Sequence, residues 1–329
     1  MLAVDELKVS VVIPTVGRSE VLRAVASALG QTCPPLEVLV VVDSRDRSIH
    51  PGLLGISHQI RILTTGGIGP SGARMLGTEE ARGDIIAFLD DDDEWIPSKL
   101  ERQLAMWPEG TGIRRHTLVS SGVALTDKAG AVLRTLPARE LQPGERIPNY
   151  LFRRTSLGYG EGLIHPSAII CDRDLVVDEP WDLAVRRHED WDWLLRVGRR
   201  SDVSILTCPD MLVRVALGGR SWSVDWRASM AWVEHRAGLL TARERGDFLL
   251  CHTATSAFRS HRRMGGLLVA GRAVKSGRPG FTAWVVWFLH LLSPSLVDRL
   301  SRLSAQFTRG RLGPGLPGGS FHCQESDRR

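Results

Sequence analysis

Residues 84–95, Asp-Ile-Ile-Ala-Phe-Leu-Asp-Asp-Asp-Asp-Glu-Trp, constrain the fold more than any other stretch of this 329-residue chain. The apolar run from Ile85 to Leu89 stops at four consecutive carboxylates, Asp90, Asp91, Asp92 and Asp93. A short apolar run bounded in this way reads as a buried strand. Its acids then sit together at the strand's C-terminal end, the edge at which open α/β sheets bind ligands. Four adjacent negative charges repel one another, and a divalent cation relieves that repulsion. Oxygen ligands favour a hard ion, Mn²⁺ or Mg²⁺. An acidic run alone also fits a solvated turn, so the segments around it decide.

Upstream, Val9 to Ile13 is an apolar strand pattern that stops at Pro14-Thr15. Ser19 reads as an N-cap, and Val21, Leu22, Val25, Ala28 and Leu29 recur at helical spacing. Leu36 to Val42 predicts a second strand, ending in Asp43, and Arg61 to Thr65 a third. After Gly66, Gly67 and Gly69, a helix opens at Pro70 or Ser71 and runs to about Ala81. This β-α-β-β-α-β order predicts an α/β layered fold with a mainly parallel sheet. Two strands ending in acids, at Asp43 and Asp90, suggest a nucleotide site, because a carboxylate accepts from ribose hydroxyls or a base N–H.

Downstream, helices are expected over 97–106 and 141–152, and a hairpin joins 117–126 to 131–136. Gly158, Gly160 and Gly162 mark a mobile segment, and Ala168 to Cys171 predicts a strand. His188-Glu189-Asp190-Trp191-Asp192-Trp193 predicts a helix with an acidic first turn, which the helix dipole favours. Short strands are expected at 203–206 and 212–215, and Gly218 to Ser221 is a loop able to cover a site.

Beyond Trp222 the pattern is helical and basic. From Arg236 to Arg311 there are 13 Lys and Arg against Glu244, Asp247 and Asp298, a local balance of 13 − 3 = +10 in a chain of net +5. Such a segment suggests an anionic partner surface. Phe281 to Leu292 reads either as a helix packed on the domain or as one lying in a bilayer surface. It is shorter than the ~18–20 apolar residues of a spanning helix. Five dispersed cysteines, Cys33, Cys171, Cys208, Cys251 and Cys323, form no CxxC pair and suggest neither a zinc site nor a disulfide framework. With no basic-then-apolar leader at the N-terminus, a cytoplasmic protein is expected, with peripheral contact at the inner face of the membrane as a further expectation.

Five segments, in this order, resemble the family-two nucleotide-sugar glycosyltransferases of the GT-A fold: Val9 to Thr15; Leu36 to Asp43; Gly69-Pro70-Ser71-Gly72-Ala73-Arg74; Asp84 to Trp95; and Glu189 to Trp193. The resemblance implies a three-layer α/β sandwich. Domain organisation is then read as a catalytic domain over 1–222, a helical basic extension over 223–308 and a disordered tail over 309–329. It implies that Pro14 and Thr15 line the base and ribose pocket, that Asp43 contacts the base or ribose, and that Arg74 lies near the diphosphate. The DXD motif falls on Asp90-Asp91-Asp92, with Asp90 and Asp91 toward the nucleotide sugar. Asp92 and Asp93 are the metal ligands, and the register within the four aspartates stays open. Asp190 is the implied catalytic base, with Glu189 beside it. His165 and His188, near matched segments, are read as structural. Met75 stands where family members usually have Asn, and the QxxRW signature of processive synthases is absent, which points to addition of a single sugar.

The implied activity is metal-dependent, inverting transfer from a nucleotide sugar to a glycan or lipid-linked acceptor in cell-envelope or exopolysaccharide synthesis, without nucleic acid. One alternative is a sugar nucleotidyltransferase, which would want a glycine-rich basic loop after the first strand; Pro14 to Arg18 is a poor version of that. The other is a non-catalytic nucleotide-binding or membrane-recruited scaffold, against which the intact Asp90, Asp92 and Asp190 argue.

Overall fold

A computed structural model of the protein describes residues 7–45, 50–53, 55–108, 116–127, 129–157, 161–216 and 225–293. Two expectations lie wholly outside these residues, the Gly218 to Ser221 loop and the tail over 309–329; of the glycine segment near 160, only Glu161 and Gly162 are described.

The N-terminal half runs β1 (Val9–Thr15), α1 (Val21–Leu29), β2 (Glu37–Val42), β3 (Ile60–Thr64), α2 (Pro70–Glu80), β4 (Ile85–Phe88), β5 (Asp93–Trp95) and α3 (Lys99–Leu104). There follow β6 (His116–Thr126), β7 (Val132–Leu136), α4 (Ile147–Phe152), β8 (Ile170–Asp172), α5 (Arg173–Asp178), α6 (Glu189–Val197) and β9 (Val203–Ala216). Five helices close the described chain: α7 (Trp226–His235), α8 (Ala242–Phe248), α9 (Thr255–Arg259), α10 (Arg263–Ser276) and α11 (Phe281–Leu292).

The strands form one sheet in the order β3-β2-β1-β4-β8-β6-β9-β5, with β7 beside β6. Its β3-β2-β1-β4 half is parallel. The other half is antiparallel except for the β6–β9 pair. Successive side chains of a strand point to opposite faces. Val12, Leu39, Val41, Ile86 and Phe88 accordingly enter one core with α2, α5, α6 and the C-terminal helices. Val11, Ile13, Val38, Val40 and Ile85 enter another with α1 and α3. Burial on both faces is why these strands read as continuous apolar runs rather than alternating ones. The result is a three-layer α/β sandwich.

Two local details place the site. The β1–β4 ladder ends at the Val12–Phe88 pair, so Pro14, with no N–H, sits two residues beyond it and disrupts no bond to β4. Gly77 of α2 faces β1: a Cβ there would come within 2.4 Å of a Val12 methyl, so this glycine lets the helix lie close on the sheet.

Several elements differ from the sequence expectations. Ser19 does not cap α1; Glu20 takes that position, and the Ser19 hydroxyl bonds the Glu20 carboxylate. The helix expected from 141 begins only at Ile147, after an extended Arg146. The strands expected at 203–206 and 212–215 are one long strand, β9, because both halves pair with β6 across an irregular register at Gly122. Between α8 and α9 the backbone makes a π-helical turn over Leu249–Ala254.

Candidate active site

The C-terminal ends of β1, β2 and β4 deliver Thr15, Asp43 and Asp90 to one edge of the sheet. Parallel pairing decides this, since strands of equal direction end on the same side.

The four aspartates have separate environments. Asp91 is buried, accepts the Thr15 hydroxyl at 2.6 Å, and is ion-paired with Arg18. Asp92 is partly exposed, with Arg18 Nη1 at 3.4 Å. Asp90 accepts from Arg74 Nη2 at 2.7 Å. Asp93 is buried on β5 and accepts the Ser167 hydroxyl at 2.5 Å. That same hydroxyl accepts the Asp90 backbone N–H at 3.0 Å, so Ser167 braces the turn from both sides. Trp95 donates its indole N–H to the Ser167 carbonyl at 2.7 Å.

His165 stands against this group, its Nδ1 3.6 Å from Asp93 Oδ2 and accepting the Ser167 N–H at 3.3 Å. Ligand atoms of Asp90, Asp93 and His165 all lie within 4.8 Å of one another. Two carboxylates and an imidazole fit one divalent cation; the carboxylates suit Mn²⁺ or Mg²⁺, and the imidazole favours the softer Mn²⁺. The electrostatics agree with that fit. Desolvation, then the charge of Asp90, pushes the Asp93 carboxyl well above its ordinary range. Desolvation pushes Asp90 up too, but Arg74 and then His165 outweigh it and hold Asp90 below its usual range. The sequence-implied metal pair was Asp92 and Asp93. The geometry brings Asp93 together with Asp90 and His165 instead, and Asp92 faces Arg18.

Arg74 is the hinge of the site. It lies buried in α2 with its guanidinium 4.8 Å from the centre of the Trp181 ring. Burial lowers its pKa, but the negative charges of Asp90, Glu189 and Asp190 raise it above the ordinary value. Its Nε and Nη1 have no hydrogen-bond partner among the described residues. Both atoms are closed off from solvent, so Arg74 acts on the site through its positive charge and its bond to Asp90.

Glu189 and Asp190 open α6. Their helix is preceded by His188 in the left-handed conformation, φ 61°. Desolvation, then the neighbouring Glu189, raises the Asp190 carboxyl to about 6. Asp190 remains partly exposed. His188 points away from the acids. It stacks on Trp191 at 4.6 Å and reaches the Ser229 hydroxyl at 2.9 Å, which in turn meets Thr253 at 3.0 Å. Burial drives its pKa well below the usual value.

Asp43 has a different setting from Asp90. Its carboxylate accepts the backbone N–H of Ile68 at 2.7 Å and of Gly69 at 2.9 Å, together with the Thr65 hydroxyl. It thereby fixes the glycine turn that starts α2, in which Gly69 has φ 98°. Pro14 is buried beside Thr15. The residues that sequence reading did not assign to the site are His165, Ser167 and Arg18. Their signal was thin: His165-Pro166-Ser167 precedes a strand, and Arg18 is one arginine in a turn.

Residues 10–155 match the model of the family described as "Glycosyl transferase family 2". The amylovoran biosynthesis glycosyltransferase AmsB of Erwinia amylovora is 27% identical over 203 residues, 59% of this chain and 65% of that protein. The Escherichia coli enzyme UDP-Glc:alpha-D-GlcNAc-diphosphoundecaprenol beta-1,3-glucosyltransferase WfgD is 36% identical over 105 residues, 31% of this chain and 42% of that protein. The chain thus spans less than two thirds of either relative. Among solved structures, S. aureus TarS 1–349 in complex with UDP superposes with a TM-score of 0.50 at 16% identity, over 93% of this chain and 92% of that one. This likeness concerns the fold alone, a mixed α/β sandwich of GT-A type.

Proposed function

The chain belongs to glycosyl transferase family 2 through residues 10–155, and on that premise we propose that it transfers one sugar from a nucleotide-diphosphate donor to an acceptor hydroxyl with inversion. The observation that carries the reading is the pairing of buried Arg74 with Asp90 at the sheet edge, where ligand atoms of Asp90, Asp93 and His165 lie within 4.8 Å of one another.

The residues divide the work as follows. Pro14, Thr15 and Asp43 border the edge where the base and ribose would lie, Asp43 through the turn it holds. Asp90, with Asp91 behind it, faces the donor sugar. Arg74, paired with Asp90 at the sheet edge, would lie near the diphosphate and supply positive charge to it. Asp190, with Glu189 beside it, takes the acceptor proton. As the acceptor oxygen bonds to the anomeric carbon, the carbon–oxygen bond to the diphosphate breaks, the electron pair leaves with the diphosphate, and the proton passes to Asp190. One displacement without a covalent intermediate inverts the centre. A carboxyl raised to about 6 is still ionised at neutral pH and is a stronger base than an ordinary Asp. When bound, Mn²⁺ or Mg²⁺ held by Asp93 with Asp90 and His165, or by Asp92 and Asp93 as the resemblance implies, would act as a Lewis acid toward the charge on the departing diphosphate.

The names of the relatives support an acceptor linked to a lipid diphosphate and a place in surface-polysaccharide synthesis. Among the described residues no helix is long and apolar enough to cross a membrane. We place the protein in the cytoplasm with peripheral contact at the inner face of the membrane.

A thermal-shift panel of UDP, GDP, dTDP and CDP, each with Mn²⁺, Mg²⁺ or EDTA, tests the reading. A ligand that binds only the folded state raises its stability by mass action. The expected result is a shift with one nucleotide that EDTA abolishes. No shift with any nucleotide would favour the non-catalytic scaffold.

A further inference from the structure

Helices α10 and α11 are apolar on the face they bury and on the face they do not. At 100° per residue, α10 buries Gly265, Gly266, Val269, Ala270 and Ala273 on one side. The opposite side carries Met264, Leu267, Leu268 and Val274, exposed by 69%, 41%, 64% and 62%. Arg263 and Arg272 fall at the two margins of this stripe, Arg272 paired with Glu234 of α7, and Lys275 falls within it. α11 buries Ala283, Val286 and His290. Its opposite side presents Phe281, Phe288 and Leu292, exposed by 83%, 52% and 59%. These two helices hold seven of the fifteen exposed large hydrophobic residues of the described chain. They lie next to one another, since the Trp287 indole donates to the Gly266 carbonyl at 3.3 Å.

An apolar helix face that none of the described residues covers marks an interaction site. The charge around it selects the partner. No acidic residue occurs between Asp247 and Asp298, while Arg259, Arg262, Arg263, Arg272, Lys275 and Arg278 all do. A second copy would set cation against cation. An apolar stripe margined by cations fits a surface that is both anionic and oily.

We propose that α10 and α11 together form a docking face for an anionic phospholipid bilayer, with Leu268 and Phe281 entering the headgroup–acyl boundary and Arg263 and Lys275 meeting lipid phosphates. The sequence had suggested only α11. The proposal deepens the peripheral-membrane part of the function above and rests on that part, not on the transfer chemistry.

Sedimentation of the full chain with vesicles tests it, using phosphatidylcholine alone and phosphatidylcholine mixed with phosphatidylglycerol. The wild-type protein should sediment with the mixed vesicles, lose binding at high salt, and stay in solution with phosphatidylcholine alone. The double variant Leu268→Glu, Phe281→Glu changes only exposed positions outside the site. It should keep its melting temperature and its nucleotide-dependent thermal shift, and partition at least about tenfold more weakly, the effect of withdrawing one large apolar side chain. Should that variant fold poorly, Arg263→Glu with Lys275→Glu tests the charge arm and should lose binding to the mixed vesicles. Equal sedimentation of wild type and variants would overturn the proposal. So would a wild-type dimer that the double variant dissociates, since the face would then be a self-interface. Vesicle binding without any nucleotide shift would uphold the docking face while the transferase reading failed.

Discussion

Asp190 pairs its proposed role with a cost in stability. Its carboxyl is raised from 3.8 to about 6 by desolvation and then by Glu189. The folded state therefore keeps the proton to a higher pH than the unfolded chain. The stability contributed by the neutral carboxyl is complete below 3.8 and is lost as pH rises through about 6. Asp190→Asn should thus melt higher than wild type at pH 7.5, with the gain fading toward pH 4 in a series of melting curves. The same substitution should lower transfer by about 10²–10⁴-fold with nucleotide binding intact. Wild-type turnover should climb with pH through an apparent pKa near 6. Near-normal turnover of Asp190→Asn would remove it as the base. The metal ligands are separable too. His165→Ala should weaken the EDTA-sensitive nucleotide shift by about tenfold or more in metal affinity, and Asp92→Ala should spare it. The reverse result would return the site to the Asp92–Asp93 pair. Asp190 stood out through the resemblance, but which of the four aspartates converge was not legible at the level of single residues. Four equal letters in a row carry no register, and only the turn that sends Asp91 to Thr15 and Arg18 and Asp93 to Ser167 tells them apart.

At the scale of elements, α6 is held in place by the helices that follow it. Asp192, 1% exposed, accepts the Trp232 indole N–H at 3.1 Å and Arg196 Nε at 3.0 Å, and also pairs with Arg236. His188 is caged by Trp191, Trp232 and Phe248. The turn that carries Glu189 and Asp190 is therefore anchored in α7 and α8. Asp192→Ala leaves the buried Trp232 indole N–H without its acceptor, while Arg196 and Arg236 each lose one carboxylate and keep Glu179 and Asp182. It should cost about 2 kcal/mol in urea unfolding. Turnover should fall with it although residue 192 meets no substrate; an unchanged midpoint would show that α6 is held by packing alone. The sequence foretold α6, as an acidic first turn before apolar residues at helical spacing. It did not reveal the clamp, because Asp192 and Trp232 are forty positions apart and neither stands in a local pattern.

For the whole molecule, one apolar core joins the sheet to the C-terminal helices. Phe88, Phe152 and Trp193 share it with Trp232, Phe248, Leu250 and Val286. Phe152 meets Phe248 edge-on at 5.0 Å and Trp232 at 6.3 Å. A chain ending at residue 222, the boundary suggested by composition, would expose the aromatic side of this core. It should aggregate or unfold without a sharp transition by circular dichroism. A soluble, cooperative fragment that still shows the nucleotide shift would establish 1–222 as an independent domain.

The sequence by itself determined the layered α/β fold, the parallel character of its N-terminal strands and the edge at which Thr15, Asp43 and Asp90 emerge. Those features follow from local rules: apolar runs that end in acids, and helices that must cross over between parallel strands. The tertiary structure alone decided the strand order and the antiparallel half, which aspartates converge with His165, that Arg74 pairs with Asp90, and that α10 is apolar on both sides. Each of these depends on contacts between distant positions, or on which face of a helix finds a neighbour. Helical periodicity reports a burial contrast between faces, and a helix buried on one face and apolar on the other gives none.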